Sequence, residues 1–401
     1  MAAKLTSDER DMLAGKHGPG VQKALEIVVA LGKIYGAQDL VPVESVQVSG
    51  VSYQNLGSAG LAFLREWAND GARVRVPTFL NPAGMDLRRW QTMGIDAEFA
   101  RQQLAVIDAF TVLGIAPTCT CTPYLIGYEP GPGAHVAWAE SSAVSFANSV
   151  LGARTNREGG PSALAAAICG RTARYGLHCD ENRRASVLVE VSCPVRSVSD
   201  WGALGYMVGQ ATQSQVLYFQ GLEPDGVDAL KALGAAMAAS GAVALYHVEG
   251  VTPEARLAGV LRPDHTRLAI DNLEAGYRAL SGGPTRIDLV WLGCPHASVA
   301  EVARLAAFAE GRRFVPEVWI TTNRPVREES EMAGSVAAIE TAGGRVWADG
   351  CVVVAPLRGR FSTVATLSAK GAYYAPSLLG TDVRYGTWLQ LERAMLTGFW
   401  E

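Results

Sequence analysis

Apolar and polar positions alternate along VPVESVQVSGV, Val41–Val51, with the period of a half-buried strand. Before it the spacing is helical. Ser7, Asp8 and Glu9 open an amphipathic helix reaching Leu13, and Leu25, Val28, Val29 and Leu31 mark the buried face of a second over Val21–Tyr35. Leu61–Asn69 predicts a short helix, Arg73–Pro77 a short strand, and Ala97–Leu113 a helix closed by Gly114. From Arg184 onward the two periods take turns. Arg184–Val195, Gln215–Gly221, Ala242–His247, Arg286–Leu292, Glu317–Thr322 and Arg345–Val354 read as strands. Ser199–Gln210, Gly226–Ser240, Val299–Ala309 and Arg327–Ala342 read as the helices among them. Such alternation predicts an α/β fold with mainly parallel sheets. Residues 285–380 are expected as a compact three-layer unit. The chain divides, on this reading, into a body over 1–284 and a C-terminal α/β unit over 285–401.

One block interrupts the periodicity. Arg154, Thr155, Asn156, Arg157 and Glu158 stand consecutively before Gly159, Gly160 and Pro161, between an apolar run and Ala163–Ile168. Charged groups set inside a fold need partners, and a glycine pair lets backbone approach a ligand. The block therefore reads as one wall of a site for a small anion, since arginine offers a carboxylate two parallel donors. Composition narrows the partners. The chain is 49% hydrophobic and 18% charged, with net charge -4 and pI near 5.9, which argues against nucleic acid or an anionic membrane as ligand. No apolar run reaches the roughly 18 residues of a membrane span, and the opening MAAKLTSDERDML has no apolar core of a signal peptide. A cytoplasmic protein is expected.

Cysteine usage adds chemistry. The seven cysteines are odd in number, which suits free thiols better than a disulfide framework. Cys119 and Cys121 lie in PTCTCTPY, Cys294 in LGCPH directly after the strand IDLVWL, and Cys351 in WADGCVVV. Ligands gather outside the carboxyl ends of strands in open α/β sheets, and Cys294 is placed that way. Thiols from three loops can hold iron or an iron–sulfur cluster and leave one position open. The plainer alternative is that each is a small buried hydrophobe. Cys169, Cys179 and Cys193 are read that way. A Cys294–His296 nucleophile is a third option, although residues two apart on a loop seldom have the required geometry. With no CxxC pair, a structural zinc knuckle is not expected. His17, His135, His178 and His247 are read as structural.

These segments resemble the aconitase X family, a hydro-lyase branch of the aconitase superfamily. The resemblance spans nearly the whole chain: VSGVSYQNLG ending at Gly57, VPTFLNPAGMDLRRW at 76–90, PTCTCTPYLIG at 117–127, the polar block through GGPSALAAAICGRT, GLHCDENR at 176–183, HVEGVTPEA at 247–255, LGCPHAS at 292–298, ADGC at 348–351 and LSAKGAYYAP at 367–376. It implies an aconitase-like three-layer α/β body and an iron-assisted dehydration of a small hydroxy acid. The implied metal ligands are Cys121, Cys294 and Cys351, with Cys121 preferred over Cys119 because it directly precedes TPY. The motifs and the chemistry together nominate Ser368, Lys370, Glu158 and His296 as catalytic candidates. They nominate Ser52, Tyr53, Asn81, Asp86, Arg154, Asn156 and Arg157 as substrate-binding candidates.

Two positions depart from the family pattern. Gln47 stands where a histidine is usual, and Gly350 replaces the threonine of an Asp-Thr-Cys motif. The family's small swivelling domain is also expected to be missing from this chain, which implies a separate small subunit carrying part of the site. Known family substrates are cis-3-hydroxy-L-proline and 5-phosphomevalonate. The first is preferred because SAKGAYYAPSLLG looks closer to bacterial members, and because a phosphate would need basic residues beyond Arg154 and Arg157. A family body that has lost catalysis and serves as a binding scaffold is the alternative from a different class.

Overall fold

The computed structural model describes residues 4–401. Three parallel sheets organise the chain. The N-terminal sheet orders Thr78–Leu80, Val46–Val48 and Ala137–Trp138. The middle sheet orders Tyr246–Val248, Leu217–Gln220, Ala185–Val191 and Leu261–Ile270. The C-terminal sheet orders Arg345–Ala348, Glu317–Thr322, Leu289–Ala297, Thr363–Thr366 and Asp382–Tyr385. A short antiparallel pair, Leu40–Pro42 with Arg171–Ala173, completes the set. This is the mixed α/β class with mainly parallel sheets that the periodicity predicts.

The C-terminal sheet has two apolar faces, as a parallel sheet between helices must. Val290, Leu292, Val318, Ile320 and Val346 point to one core, shared with Val302 and Leu305 of helix Val299–Ala309 and Leu391 and Met395 of helix Trp388–Thr397. Their alternating neighbours Leu289, Trp291, Trp319 and Trp347 point the other way. There they join Trp201, Leu204 and Leu233 from the helices of the middle region and Ala372 and Ala375 of helix Ala369–Leu379. The residues after 285 thus form helix–sheet–helix layers, and the middle and C-terminal sheets share one core.

The strand order in this sheet runs outward in both directions from Leu289–Ala297. The chain passes from that strand to one side through Glu317–Thr322 and Arg345–Ala348 and then crosses to Thr363–Thr366 on the other, so a crevice opens at its carboxyl end. Gly293 lies in this turn with φ 84°, and a Cβ there would come within 2.0 Å of the Thr321 carbonyl. The approach that sets up the Cys294 turn admits only glycine.

Most predicted elements lie within a few residues of their expected limits. The exceptions have physical causes. Val41–Val51 is two strands in two sheets, because the chain crosses between them at Val43–Ser45. Arg73–Pro77 bends at Arg75–Val76 and makes only isolated backbone bonds, Val74 N–H to Leu113, Arg75 N–H to Ala167 and Val46 N–H to Pro77; the ladder begins at Thr78. The helix expected over Arg327–Ala342 is two helices, Arg324–Met332 and Ser335–Thr341, interrupted where Gly334 turns left-handed at φ 79°. The last predicted strand ends at Ala348 because Asp349 takes φ 63°. Leu261–Ile270 escaped the pattern altogether. It is an edge strand, mostly exposed, and RPDHTR carries no apolar alternation. No described helix is long and apolar enough to cross a membrane.

Candidate active site

Carboxyl ends of the N-terminal and C-terminal sheets supply the polar residues of the site. Asn81 follows the strand Thr78–Leu80 and Glu140 follows Ala137–Trp138. Cys294 sits late in Leu289–Ala297, Cys351 follows Arg345–Ala348, and Ser368 and Lys370 follow Thr363–Thr366. Lys370 Nζ reaches across and pairs with Glu140 Oε1, so residues 230 apart in sequence close one centre.

His296 ties the three thiol loops together. Its backbone N–H donates to Cys121 Sγ at 3.2 Å, its Nε2 lies 2.9 Å from the Gly350 carbonyl, and its Nδ1 lies 3.4 Å from Thr120 Oγ1. Burial holds this imidazole at a pKa of about 4, so it is neutral near pH 7. Cys121 is pushed up to about 12 by burial, with Cys294 among its charged neighbours. Cys294 is also raised by burial. Cys351 is raised well above the thiol range by burial first, then by Cys294 and Cys121. The His296 contacts bring the loops of the three cysteines together, and burial favours the protonated thiol at each. Among the described residues no three Cys, His, Asp or Glu side chains form a ready-made metal-binding group. Cys119 packs instead into the N-terminal core with Leu80 and Ala83.

The second feature is the Glu140–Lys370 pair. Glu140 Oε2 accepts from Asn81 Nδ2 at 2.9 Å, and Oε1 receives Ser141 and Ser142 hydroxyls at 3.3 Å. Burial alone would raise the carboxyl, but Lys370, Asn81 and the charge of Arg157 outweigh it and hold the pKa at about 2. Burial would likewise lower Lys370, yet Glu140 and the thiols of Cys294 and Cys121 push it well above the lysine range. Lys370 also donates to Ser142 Oγ at 3.0 Å. Gln47, fully buried, donates to the Thr120 carbonyl at 3.0 Å and accepts the Glu140 N–H at 3.3 Å. The glutamine thus links the Cys121 loop to Glu140 with two neutral bonds. Asn81 Oδ1 is buried without a partner.

The polar block is arranged otherwise than expected. Arg154 pairs with Asp180 and donates to the His178 carbonyl at 3.3 Å. It opens on a separate cleft of about 320 Å³ with His135, Tyr175 and Cys179, whose lining includes none of Cys121, Cys294 and Cys351. Asn156 donates to Tyr175 and accepts from Leu177 N–H at 2.9 Å. Glu158 is buried and accepts from Ser162 Oγ at 2.6 Å and Thr172 Oγ1 at 3.1 Å, and burial raises its pKa. Arg157 alone stands exposed, close enough to Glu140 to lower its pKa. Arg154 is paired with Asp180, so among the described residues Arg157 is the arginine of the block without a carboxylate partner.

Asp86, Ser52, Tyr53, His296 and Ser368 are all engaged within the fold. Asp86 is fully buried with both oxygens engaged, by Arg88 N–H, Arg89 N–H and Arg324 on one and Ala348 N–H on the other. It pins loops and has nothing left for a substrate. Ser52 donates to the Val354 carbonyl at 2.6 Å and caps the helix starting at Tyr53, whose ring packs edge-on against Phe99. His296 has both ring nitrogens engaged and none free to move a proton. Ser368 caps helix Ala369–Leu379 and donates to the Cys294 carbonyl. Sequence reasoning missed Glu140. The available signal was that it is the lone acid in HVAWAESSAVSFANSV.

Parallel sheets whose carboxyl ends bring the loops of Cys121, Cys294 and Cys351 beside the Glu140–Lys370 pair suit the body of an aconitase-like hydro-lyase. Comparison with known proteins agrees. Residues 2–181 match the family model for the aconitase X first domain, 185–277 the second domain and 287–397 the third. The chain is 49% identical over 395 residues to the phosphomevalonate dehydratase large subunit of Methanothermobacter thermautotrophicus, covering 97% of this chain and 98% of that one. It is 41% identical over 400 residues to the cis-3-hydroxy-L-proline dehydratase of Pseudomonas aeruginosa, covering 95% of this chain and 68% of that one. The crystal structure of Thermococcus kodakaraensis aconitase X in its holo-form superposes with a TM-score of 0.91 at 44% identity, covering 98% and 99% of the two chains. The chain belongs to the aconitase X family and is a dehydratase.

Proposed function

We propose that this chain is the large subunit of an iron-dependent hydro-lyase that dehydrates 5-phosphomevalonate together with a small subunit. The observation that carries this reading is the end-to-end match, at 49% identity, to a protein named phosphomevalonate dehydratase large subunit. That name also supports a separate small-subunit partner.

Cys121, Cys294 and Cys351 would hold the iron or iron–sulfur cluster; thiols are the soft donors such a group selects. When bound, the metal supplies a Lewis acid for the departing hydroxyl. Protein groups do the rest. Arg157, exposed at the rim, offers two donors to the substrate carboxylate. Asn81 Oδ1, lacking a donor, accepts from a substrate hydroxyl. Lys370, held protonated, balances anionic charge and cannot take a proton; Glu140, with a pKa of about 2, is too weak a base for the task. Removal of the proton α to the carboxylate therefore falls to the partner subunit. The electron pair left on carbon forms the double bond as the hydroxyl leaves, and the departing hydroxide together with the abstracted proton makes up the water that is the second product. Ser368 and His296 fix the Cys294 turn, and Glu158 ties its own block to Ser162 and Thr172.

Cis-3-hydroxy-L-proline is the second reading, and a count of cations favours it. Arg154 is paired with Asp180 and Lys370 with Glu140, which leaves Arg157 for a carboxylate and no further arginine of the block for a phosphate. Co-expression with a candidate small subunit, anaerobic purification and assay on both compounds decides between them. Turnover of phosphomevalonate supports the first reading, and turnover of hydroxyproline alone replaces it with the second. A pure complex that holds no iron and turns over neither compound returns the scaffold reading.

A further inference from the structure

Arg324 sits at the first position of helix Arg324–Met332, and neither periodicity nor motif singles it out. Its Nη2 reaches two carboxylates at once: Asp86 Oδ1 at 2.8 Å and Asp349 Oδ2. Asp86 is fully buried and the Asp349 side chain is 4% exposed. Two buried carboxylates on one guanidinium would repel each other strongly without it.

This cluster lies directly under the Cys351 turn. Asp349 adopts φ 63°, a conformation that is unfavourable for a non-glycine residue and persists only when its surroundings enforce it. Ala83 N–H donates to the Asp349 carbonyl at 2.8 Å, and Cys351 N–H donates back to Ala83 at 3.1 Å. Gly350 rests so closely on the backbone of Met85 and Asp86 that a Cβ would come within 2.8 Å of the Met85 carbonyl carbon. The threonine usual in the family has no room here without a shift of that loop. Three segments, at 83–89, 323–326 and 348–351, therefore meet at one guanidinium.

We infer that Arg324 is a positioning residue for Cys351: by bridging Asp86 and Asp349 it holds the left-handed turn that directs this thiol toward Cys121 and Cys294. The inference rests on the reading of Cys351 as a metal ligand only in its consequence for iron uptake; the placement of the thiol can be tested without metal. In iron-free full-length chain, alkylation of each cysteine is followed by peptide mass analysis. Arg324→Met should speed modification of Cys351 by about tenfold, the factor given by loss of one charge-assisted hydrogen bond, with Cys121 and Cys294 unchanged within about twofold by the same scale. Arg324→Lys should keep most of the protection. Asp349→Asn keeps size and tolerance of the left-handed turn, and should raise Cys351 alone by a smaller factor should the Met variant not fold. Anaerobic reconstitution should then leave Arg324→Met with less iron per chain and weaker sulfur-to-iron absorbance than wild type. Equal rates at Cys351 in variant and wild type, or a rise at all three thiols together, overturns the inference. A wild-type chain that takes up no iron sinks the metal reading instead and leaves the thiol result to stand or fall alone.

Discussion

The loop at 154–158 and the Glu140–Lys370 pair both enclose charge, but they satisfy it over different distances. Arg154 finds Asp180 26 residues away, Asn156 finds Tyr175 and Leu177, and Glu158 finds Ser162 and Thr172. Every one of these partners lies within the first family domain. Glu140 and Lys370 lie 230 residues apart, on loops of two different sheets, with thiols of Cys294 and Cys121 alongside. Locally satisfied polar groups build a wall. A pair that can form only when two sheets are brought together ties distant loops to one another, and the Glu140–Lys370 pair does so beside the cysteine loops.

The sharpest way to break that contrast is to remove Lys370. A buried ion pair left with one member costs about 3–5 kcal/mol, because the remaining charge is desolvated and unpaired. Lys370→Met should lose stability in that range by denaturant unfolding and lose nearly all dehydration. Pairing it with Glu140→Gln should recover most of the stability and none of the activity. Recovery of both would reduce the pair to a structural strut.

Acid should separate the two regions next. His178, beside Arg154, is held at about 3 by burial and by His135, Arg183 and Arg154. Its folded pKa lies below the unfolded value near 6.5. Between these values the unfolded chain binds the extra proton, so stability is fully present above pH 6.5 and falls as the pH drops toward 3, by at most about 1.4 kcal/mol per pH unit. Glu140 has a folded pKa of about 2; its contribution is present above an unfolded value of about 4.3 and disappears only as the pH falls through 2. Hydrogen exchange at pH 5 and 7.5, corrected for intrinsic rates, should show protection lost first in peptides over 148–183 and later over 368–379. The opposite order would mean that the pair, not the loop, is the acid-weak element.

Legibility in the sequence follows the same divide. Strands separated by helices of ten residues or more announce parallel sheets, so the α/β class and the carboxyl-end position of Cys294 could be read directly. Leu261–Ile270 could not, since an exposed edge strand need not alternate. The three cysteine loops were recognisable through family motifs in order. Asp86 is nominated for the substrate by its sequence because an acid between Gly84 and two arginines looks the same whether it faces a ligand or ties loops together. Glu140 was overlooked because nothing near it in sequence hints at Lys370. Long-range pairs are the part of a site that local pattern cannot express.

Within the wall the effects should be smaller. Glu158→Gln keeps the size of the side chain and one acceptor for Ser162 or Thr172, and should shift stability by about 1 kcal/mol or less. Turnover should stay within about threefold, the change expected where no transition-state contact is removed. A loss of activity as large as that of Lys370→Met would move Glu158 from the wall into the chemistry.

Arg157 should give the smallest change in stability and the clearest division of roles within the block. It is exposed, so Arg157→Ala should alter unfolding by no more than about 0.5 kcal/mol, the usual range for surface substitutions. If it holds the substrate carboxylate before and during reaction alike, KM should rise by about tenfold or more with little change in kcat, the signature of uniform binding. Arg157→Lys keeps the charge but loses the paired donors, and should fall between wild type and alanine. An unchanged KM in the alanine variant would place all four of Arg154, Asn156, Arg157 and Glu158 in the wall, and would leave recognition of the carboxylate to Lys370 and the partner subunit.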